Sequence, residues 1–170
     1  QVCGDGNCIY ISGAGEDNVV LENFCHDVSG VRMNAAIRCD DDQNETLIER
    51  NVIFRNYDSR AEGFITKGRN DFIENLVVDL RDIAHHRGYL VFVRGNFSGS
   101  VIQRNVFYSC KKGQHIYGPI RRSFAGLASK LKGTMTDYNL YWCTEDPQWG
   151  ERFLKKAQAL GIEKHSKSED

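Results

Sequence analysis

The chain has almost no net charge: 22 basic against 23 acidic side chains leave a formal balance of -1 over 170 residues. Nucleic acid and anionic membrane surfaces are read through a basic footprint, so neither is expected as a partner. Long apolar runs are missing too, and none reaches the roughly 20 residues that a transmembrane helix requires. Gln1 opens the chain without a methionine or a signal-type apolar stretch, which reads as a processed or excised piece of an exported protein, secreted or periplasmic. The six cysteines, Cys3, Cys8, Cys25, Cys39, Cys110 and Cys143, contain no CxxC pair and no Cys/His zinc pattern, which excludes structural zinc. Most are expected as small buried hydrophobes, with a Cys3–Cys8 disulfide if the protein is exported. Proline is scarce, two residues against 16 glycines, and helical periodicity is nearly absent before residue 150.

What remains is a series of short β-branched and aromatic runs between Gly, Asn and Asp clusters, the signature of many brief strands. One pattern recurs through them: an apolar residue, two variable ones, an Asn, then further apolar residues. It appears at Val20–Phe24, Ile48–Val52, Phe72–Leu76, Ile102–Val106 and, more weakly, Thr136–Leu140. Its Asn residues, Asn23, Asn51, Asn75, Asn105 and Asn139, stand 28, 24, 30 and 34 residues apart. Unequal spacing of this kind fits solenoid rungs with turns of different length. An Asn at one turn of every rung can donate to and accept from the backbone of its neighbours, and it tolerates a left-handed turn. The expected fold is therefore all-β, a right-handed parallel β-helix of about five rungs over residues 1–143. Residues 144–170 would add a short helix, Glu151–Leu160 before Gly161, and a tail in the same domain.

These residues resemble the pectate-lyase-like right-handed parallel β-helix superfamily, whose rungs carry an interior Asn ladder after their second strand. The likeness spans about residues 8–143 and is nearest to the glycosidase-like members. The stretches that carry it are Ile37–Asp42 (IRCDDD), Lys67–Asp71 (KGRND), Phe72–Asn75 (FIEN), Asp137–Trp142 (DYNLYW) and His165–Asp170 (HSKSED). The resemblance implies the fold and a polysaccharide ligand. It does not fix a reaction, because lyases, hydrolases, epimerases and non-catalytic adhesins share such scaffolds. The chain departs from those relatives at Thr66–Gly68, where they tend to have His-Gly-Gly, and at Asp42, where they have Gly.

Period-two alternation sorts side chains on the first strand of each rung, expected at Cys8–Ser12, Ala35–Asp40, Gly63–Lys67, Tyr89–Arg94 and Gln114–Tyr117. Ile9, Ile11, Ile37, Cys39, Phe64, Thr66, Val91, Val93 and Ile116 would point inward. Tyr10, Ser12, Arg38, Asp40, Ile65, Lys67, Phe92, Arg94, His115 and Tyr117 would line an exposed groove. Aromatic faces cover the apolar side of a pyranose, and charged forks hold its hydroxyls or carboxylates. Arg38, Phe92 and Tyr117 are thus candidate sugar contacts, as are Arg69 and the loop residues His86 and Arg87, whereas His26 is assigned a structural place.

Asp40, Asp41 and Asp42 crowd one turn, so one of them should have a raised pKa. A protonated carboxyl beside an ionised one is what a glycoside hydrolase uses. Asp40 or Asp41 would work with a second carboxylate, Asp71 or Glu62, and His115 would shuttle protons. The same cluster could instead hold Ca²⁺ through Asp40 and Asp42. A calcium-dependent lyase would then take Lys67 or Arg94 as its base. Without calcium, no cofactor is implied. A third reading is a non-catalytic glycan-binding or structural module. The insertion Ile120–Gly133, with Arg121, Arg122, Lys130 and Lys132, would make one groove wall basic and favour an acidic polysaccharide. No N-terminal cap is evident, so a homo-oligomer or flanking rungs are expected over the open ends.

Overall fold

The computed structural model describes residues 7–29, 34–56, 61–80, 89–93, 95–112, 114–118, 131 and 133–169. The chain winds through five turns of three strands each. The first holds β1 (Asn7–Ser12), β2 (Asn18–Leu21) and β3 (Phe24–His26), and the second β4 (Asn34–Asp40), β5 (Thr46–Glu49) and β6 (Val52–Phe54). The third holds β7 (Ala61–Thr66), β8 (Asp71–Ile73) and β9 (Leu76–Val78). The fourth holds β10 (Tyr89–Val93), β11 (Val101–Gln103) and β12 (Val106–Ser109), and the fifth β13 (His115–Gly118), β14 (Met135–Asp137) and β15 (Leu140–Cys143). Helix α1 (Trp149–Ala159) and β16 (Lys167–Ser168) follow. First strands pair only with first strands, second with second and third with third, giving three parallel sheets, here A, B and C. The fold is a parallel β-solenoid with one short helix, as expected, and the helix starts two residues before the expected Glu151.

Alternation decides the interior. Register stacks Ile9, Ile37, Phe64, Val91 and Tyr117 in sheet A, Val20, Ile48, Phe72, Ile102 and Thr136 in sheet B, and Cys25, Ile53, Val77, Phe107 and Tyr141 in sheet C. Phe64 lies on Phe72 with ring centroids 4.6 Å apart, and Phe107 on Tyr141 at 5.3 Å. Pairs of this kind add to the area their rings bury.

Between sheets B and C the Asn residues form a continuous ladder. Asn75 is typical: its Nδ2 donates to Asn105 Oδ1 (3.1 Å), Ile48 O (2.9 Å) and Ile73 O (2.9 Å), while its Oδ1 accepts from Asn51 N (2.9 Å) and Asn51 Nδ2 (3.0 Å). The left-handed residue of this turn is the one before each Asn, not the Asn itself: Glu22, Arg50, Glu74, Arg104 and Tyr138 have φ between 51° and 59°. That conformation costs a non-glycine residue roughly 1–2 kcal/mol. It also aims the residue's N–H at the next rung, as in Glu74 N to Gln103 O at 3.0 Å.

After the fifth turn the tail takes the next ladder position. Asn139 N donates to Ser166 Oγ (2.8 Å), and Asn139 Nδ2 to the Glu163 carboxylate (3.1 Å). Beside them β16 pairs with β15. Helix α1 packs on both strands through a face that includes buried Trp149, Leu154 and Ala157.

Candidate functional site

The described cluster of charged side chains that combines burial with open edges lies on the outward side of sheet A, across the first three turns. Tyr10, Arg38 and Ile65 share one outward register line, and Ser12 and Asp40 the next. Asp40 ends β4, and the two residues after it, Asp41 and Asp42, both adopt left-handed backbone (φ 46° and 60°). This bend splits the three carboxylates instead of pooling them.

Asp40 is 3 % exposed. It forms ion pairs with Arg38 and with Lys67, accepts the Tyr10 hydroxyl at 3.2 Å, and accepts Asp41 N at 2.9 Å. Burial pushes its pKa up, but the Lys67 ammonium, the Asp41 N–H and the Arg38 guanidinium outweigh that and hold it below the usual carboxylate value. The expected raised carboxyl is therefore not Asp40, because two cations and two donors reach it. Asp41 turns outward with its side chain 69 % exposed, 3.5 Å from Lys67 Nζ, and accepts the Ser12 hydroxyl at 3.2 Å. Asp42 is exposed. Among the described residues no three Asp, Glu, His or Cys side chains converge in a group that could hold a metal ion. Asp40 spends its oxygens on its cations.

Arg38 is the anomaly in the cluster. It is 7 % exposed, its Nη2 is committed to Asp40, and its guanidinium lies 5.4 Å from the Tyr10 ring centroid. Its Nε and Nη1 are buried and have no hydrogen-bond partner among the described residues. A buried donor left empty costs about 1–3 kcal/mol, more when charged. The two donors point to different sides of the planar guanidinium, so each calls for an acceptor oxygen of its own.

No family model, curated protein or solved structure matches this chain. The site therefore stands on its own geometry.

Several expected site residues lie elsewhere. Tyr117 points inward: β13 pairs Val91 with Tyr117, which puts the phenol in line with core Phe64. A one-residue difference in register turns every side chain to the opposite face. Its hydroxyl donates to Glu163 (3.0 Å) and it is 1 % exposed. His115 follows the same parity at the start of β13, three strand positions from β4, and burial lowers its pKa. Glu62 is buried in register with inward Ala35, and Asp71 opens β8 within sheet B, where its Oδ1 accepts Val101 N at 2.9 Å. Neither joins Asp40. Arg69 pairs with Glu45 beside a shallow cavity of about 450 Å³ lined also by Asp17, Asp71 and Gly99, outside sheet A. His26 lies exposed on the outside of sheet C, against Asp27 and Phe24. Cys3, the Phe92 side chain, His86, Arg87, Arg94 and most of the Ile120–Gly133 insertion fall outside the described residues.

The expected groove is also less open than alternation implies. Ala36, Ile65 and Leu90 lie on the outward side of sheet A and are fully buried. Solvent reaches the cluster at Tyr10, Ser12 and Asp41, with Arg38 and Asp40 as its floor. Tyr10 and Ser12 were legible as outward residues. Their ties to Asp40 and Asp41 were not, because a hydroxyl on one rung carries no sequence mark of its partner on the next.

Proposed function

We propose that the protein is carbohydrate-active and takes an acidic polysaccharide against the outward side of sheet A, at the Tyr10–Arg38–Asp40–Lys67 cluster. The observation behind this reading is the pair of empty, buried donors on Arg38. Separate oxygens of a uronate unit, one from its carboxylate and one from a hydroxyl, would supply the missing acceptors, Tyr10 offers a half-exposed ring for the sugar face, and Lys67 adds positive charge. Binding to these groups costs the glycan little side-chain ordering, since Asp40 already holds Arg38 and Lys67 in place.

Hydrolysis is a second reading, favoured by the contrast between two adjacent carboxylates. Asp40 is enclosed and held ionised, and Asp41 is open to solvent. Environments that differ this much are how paired carboxylates divide acid and base roles. Asp40 would be the charge-stabilising or base partner, with Asp41 as the second carboxylate at the open edge.

The test is calorimetric titration with a panel of neutral and uronic-acid oligosaccharides, followed by assays of reducing ends and of unsaturated product with and without chelator. Binding selective for uronic acids, weakened at least tenfold by Tyr10→Ala, supports the reading. Equal affinity for neutral sugars, or none for any, overturns it. New reducing ends that vanish in Asp41→Asn add hydrolysis, and chelator-sensitive unsaturated product would replace it with a lyase.

A further inference from the structure

We propose that the outward side of sheet C is a self-association surface on which two copies of this chain pack face to face, related by a two-fold axis that runs along the strands between the second and third turns. The inference concerns a face other than sheet A and does not depend on the carbohydrate reading.

The five paired turns of sheet C carry no carboxylate, lysine or arginine on their outward side. One register line there reads Phe24, Val52, Leu76, Val106 and Leu140, and the next reads His26, Phe54, Val78, Tyr108 and Trp142. Phe24 and Trp142, at opposite ends of the face, are 60 % and 42 % exposed, and the apolar side chains between them are half-buried. Sheet B of the same solenoid shows a solvated outward side by contrast, with a register line of Leu21, Glu49, Ile73, Gln103 and Asp137. A parallel sheet that is apolar on both sides is normally covered on both. A centre that lacks charge and holds aromatic rings has the composition of an interface core.

A sugar laid on this face would take hydroxyls out of water with few partners to receive them, since Tyr108 already shares its hydroxyl with Thr144 at 2.5 Å. An apolar surface meets no such cost. The corner between sheets B and C selects a second copy as that surface. Glu22, Arg50, Glu74 and Arg104 occupy it on successive turns, with side chains 40–65 % exposed. Within the chain Arg50 pairs with Glu22 at 3.1 Å and with Glu49 at 2.8 Å, and Arg104 with Glu74 at 2.8 Å. A series that alternates acid, base, acid and base is complementary to itself when reversed.

Three face-to-face arrangements are then told apart by charge. With the axis along the strands and between the second and third turns, Glu22 lies opposite the partner's Arg104 and Arg50 opposite the partner's Glu74. The same axis sets Val52 opposite the partner's Leu76 and Phe54 opposite the partner's Val78. Moved onto the third turn, it would oppose Arg50 to the partner's Arg104. An axis along the solenoid would bring the corner to the far margin of the sheet, opposing Glu22 to the partner's Asp27 and Arg50 to the partner's Arg55. Like charges disfavour the last two. Packed sheets lie about 10 Å apart, a gap that two long side chains at a margin span. Four paired turns of short strands make a small contact, below about 1,200 Å² in total, which is the class of weak and reversible complexes.

The experiment is sedimentation equilibrium of the full chain from about 5 to 500 μM. A reversible rise from monomer toward dimer is expected. Leu76→Lys, at the centre of the face, should stay monomeric with the circular dichroism and melting temperature of the parent. Arg50→Glu and Glu74→Arg should each weaken association about tenfold or more, and an equimolar mixture of these two variants should recover it. Mixing opposes acid to base across the axis but restores no ion pair within either chain, so recovery reports the contact between copies. A monomer at every concentration, a dimer that Leu76→Lys leaves intact, or single variants that mixing does not rescue would each overturn the proposal. A monomer that binds oligosaccharides until Leu76→Lys is introduced would overturn it too, and give the face to a glycan.

Discussion

Asn75 and Arg38 are both polar side chains more than nine-tenths buried, but they sit in opposite kinds of surroundings. Every donor and acceptor of Asn75 has a partner on its own rung or an adjacent one. Arg38 has one nitrogen in an ion pair and two with no partner among the described residues. A closed network of that first kind fixes register and shape. The second kind carries an unmet cost that a ligand can relieve, so the ladder is the scaffold and the Arg38 cluster is the place to look for function.

That contrast can be broken from the ladder side first. Asn75→Ala removes three donated and two accepted hydrogen bonds and strands its neighbours in the core, with an expected loss of about 4 kcal/mol in urea unfolding. Asp40→Ala comes next, at about 3 kcal/mol by the same measurement, because it leaves Arg38 and Lys67 without their shared counter-charge. The pH dependence of unfolding sharpens the point. Since the folded-state pKa of Asp40 is depressed, its stabilisation is fully present above the unfolded value of about 3.9 and is lost as pH falls through the lower folded value. Asp40→Asn should flatten the acid side of the stability profile.

Arg38→Met should cost less than Asp40→Ala in the same titration, since Asp40 keeps Lys67 as a counter-charge and two unmet donors are removed, while uronate binding disappears. An equally large loss for Arg38→Met and Asp40→Ala would erase the distinction between site and scaffold. Smallest of all is Glu74→Ala on the outer edge of the ladder turn. Its 2.8 Å pair with Arg104 is solvent-exposed, and the expected change is within about 0.5 kcal/mol.

The ladder was legible in the sequence because Asn23, Asn51, Asn75, Asn105 and Asn139 recur in one apolar frame, and only stacking gives a reason for that. The alternation of Ile9, Ile37, Phe64 and Val91 was legible for the same cause. Tyr117 was not, because the parity of β13 is set by its pairing with β10 and by the turn before it, neither of which its own residues state. The Asp40–Asp42 run misled for a related reason. Adjacency in sequence implied shared charge, but two left-handed residues send the carboxylates to different neighbours. Lys67 and Arg38 could be placed near Asp40 from the rungs alone. That Arg38 would be enclosed with empty nitrogens depends on packing outside its own strand.

The ladder also has a direction. Among its donations each Asn amide reaches the side-chain oxygen of the Asn on the following turn and never that of the preceding one, so the chain of side-chain amides is a vector, with an oxygen at its Asn23 end and hydrogens arriving at Asn139. There they meet a buried carboxylate, Glu163, and a serine hydroxyl. Each turn satisfies only its neighbours, so duplicating one turn in the middle of the column would disturb no bond elsewhere. Adding one beyond Asn139 would first have to displace that carboxylate. The architecture is modular in its interior and closed at one end, and its length can change by copying without any change in its rules of contact.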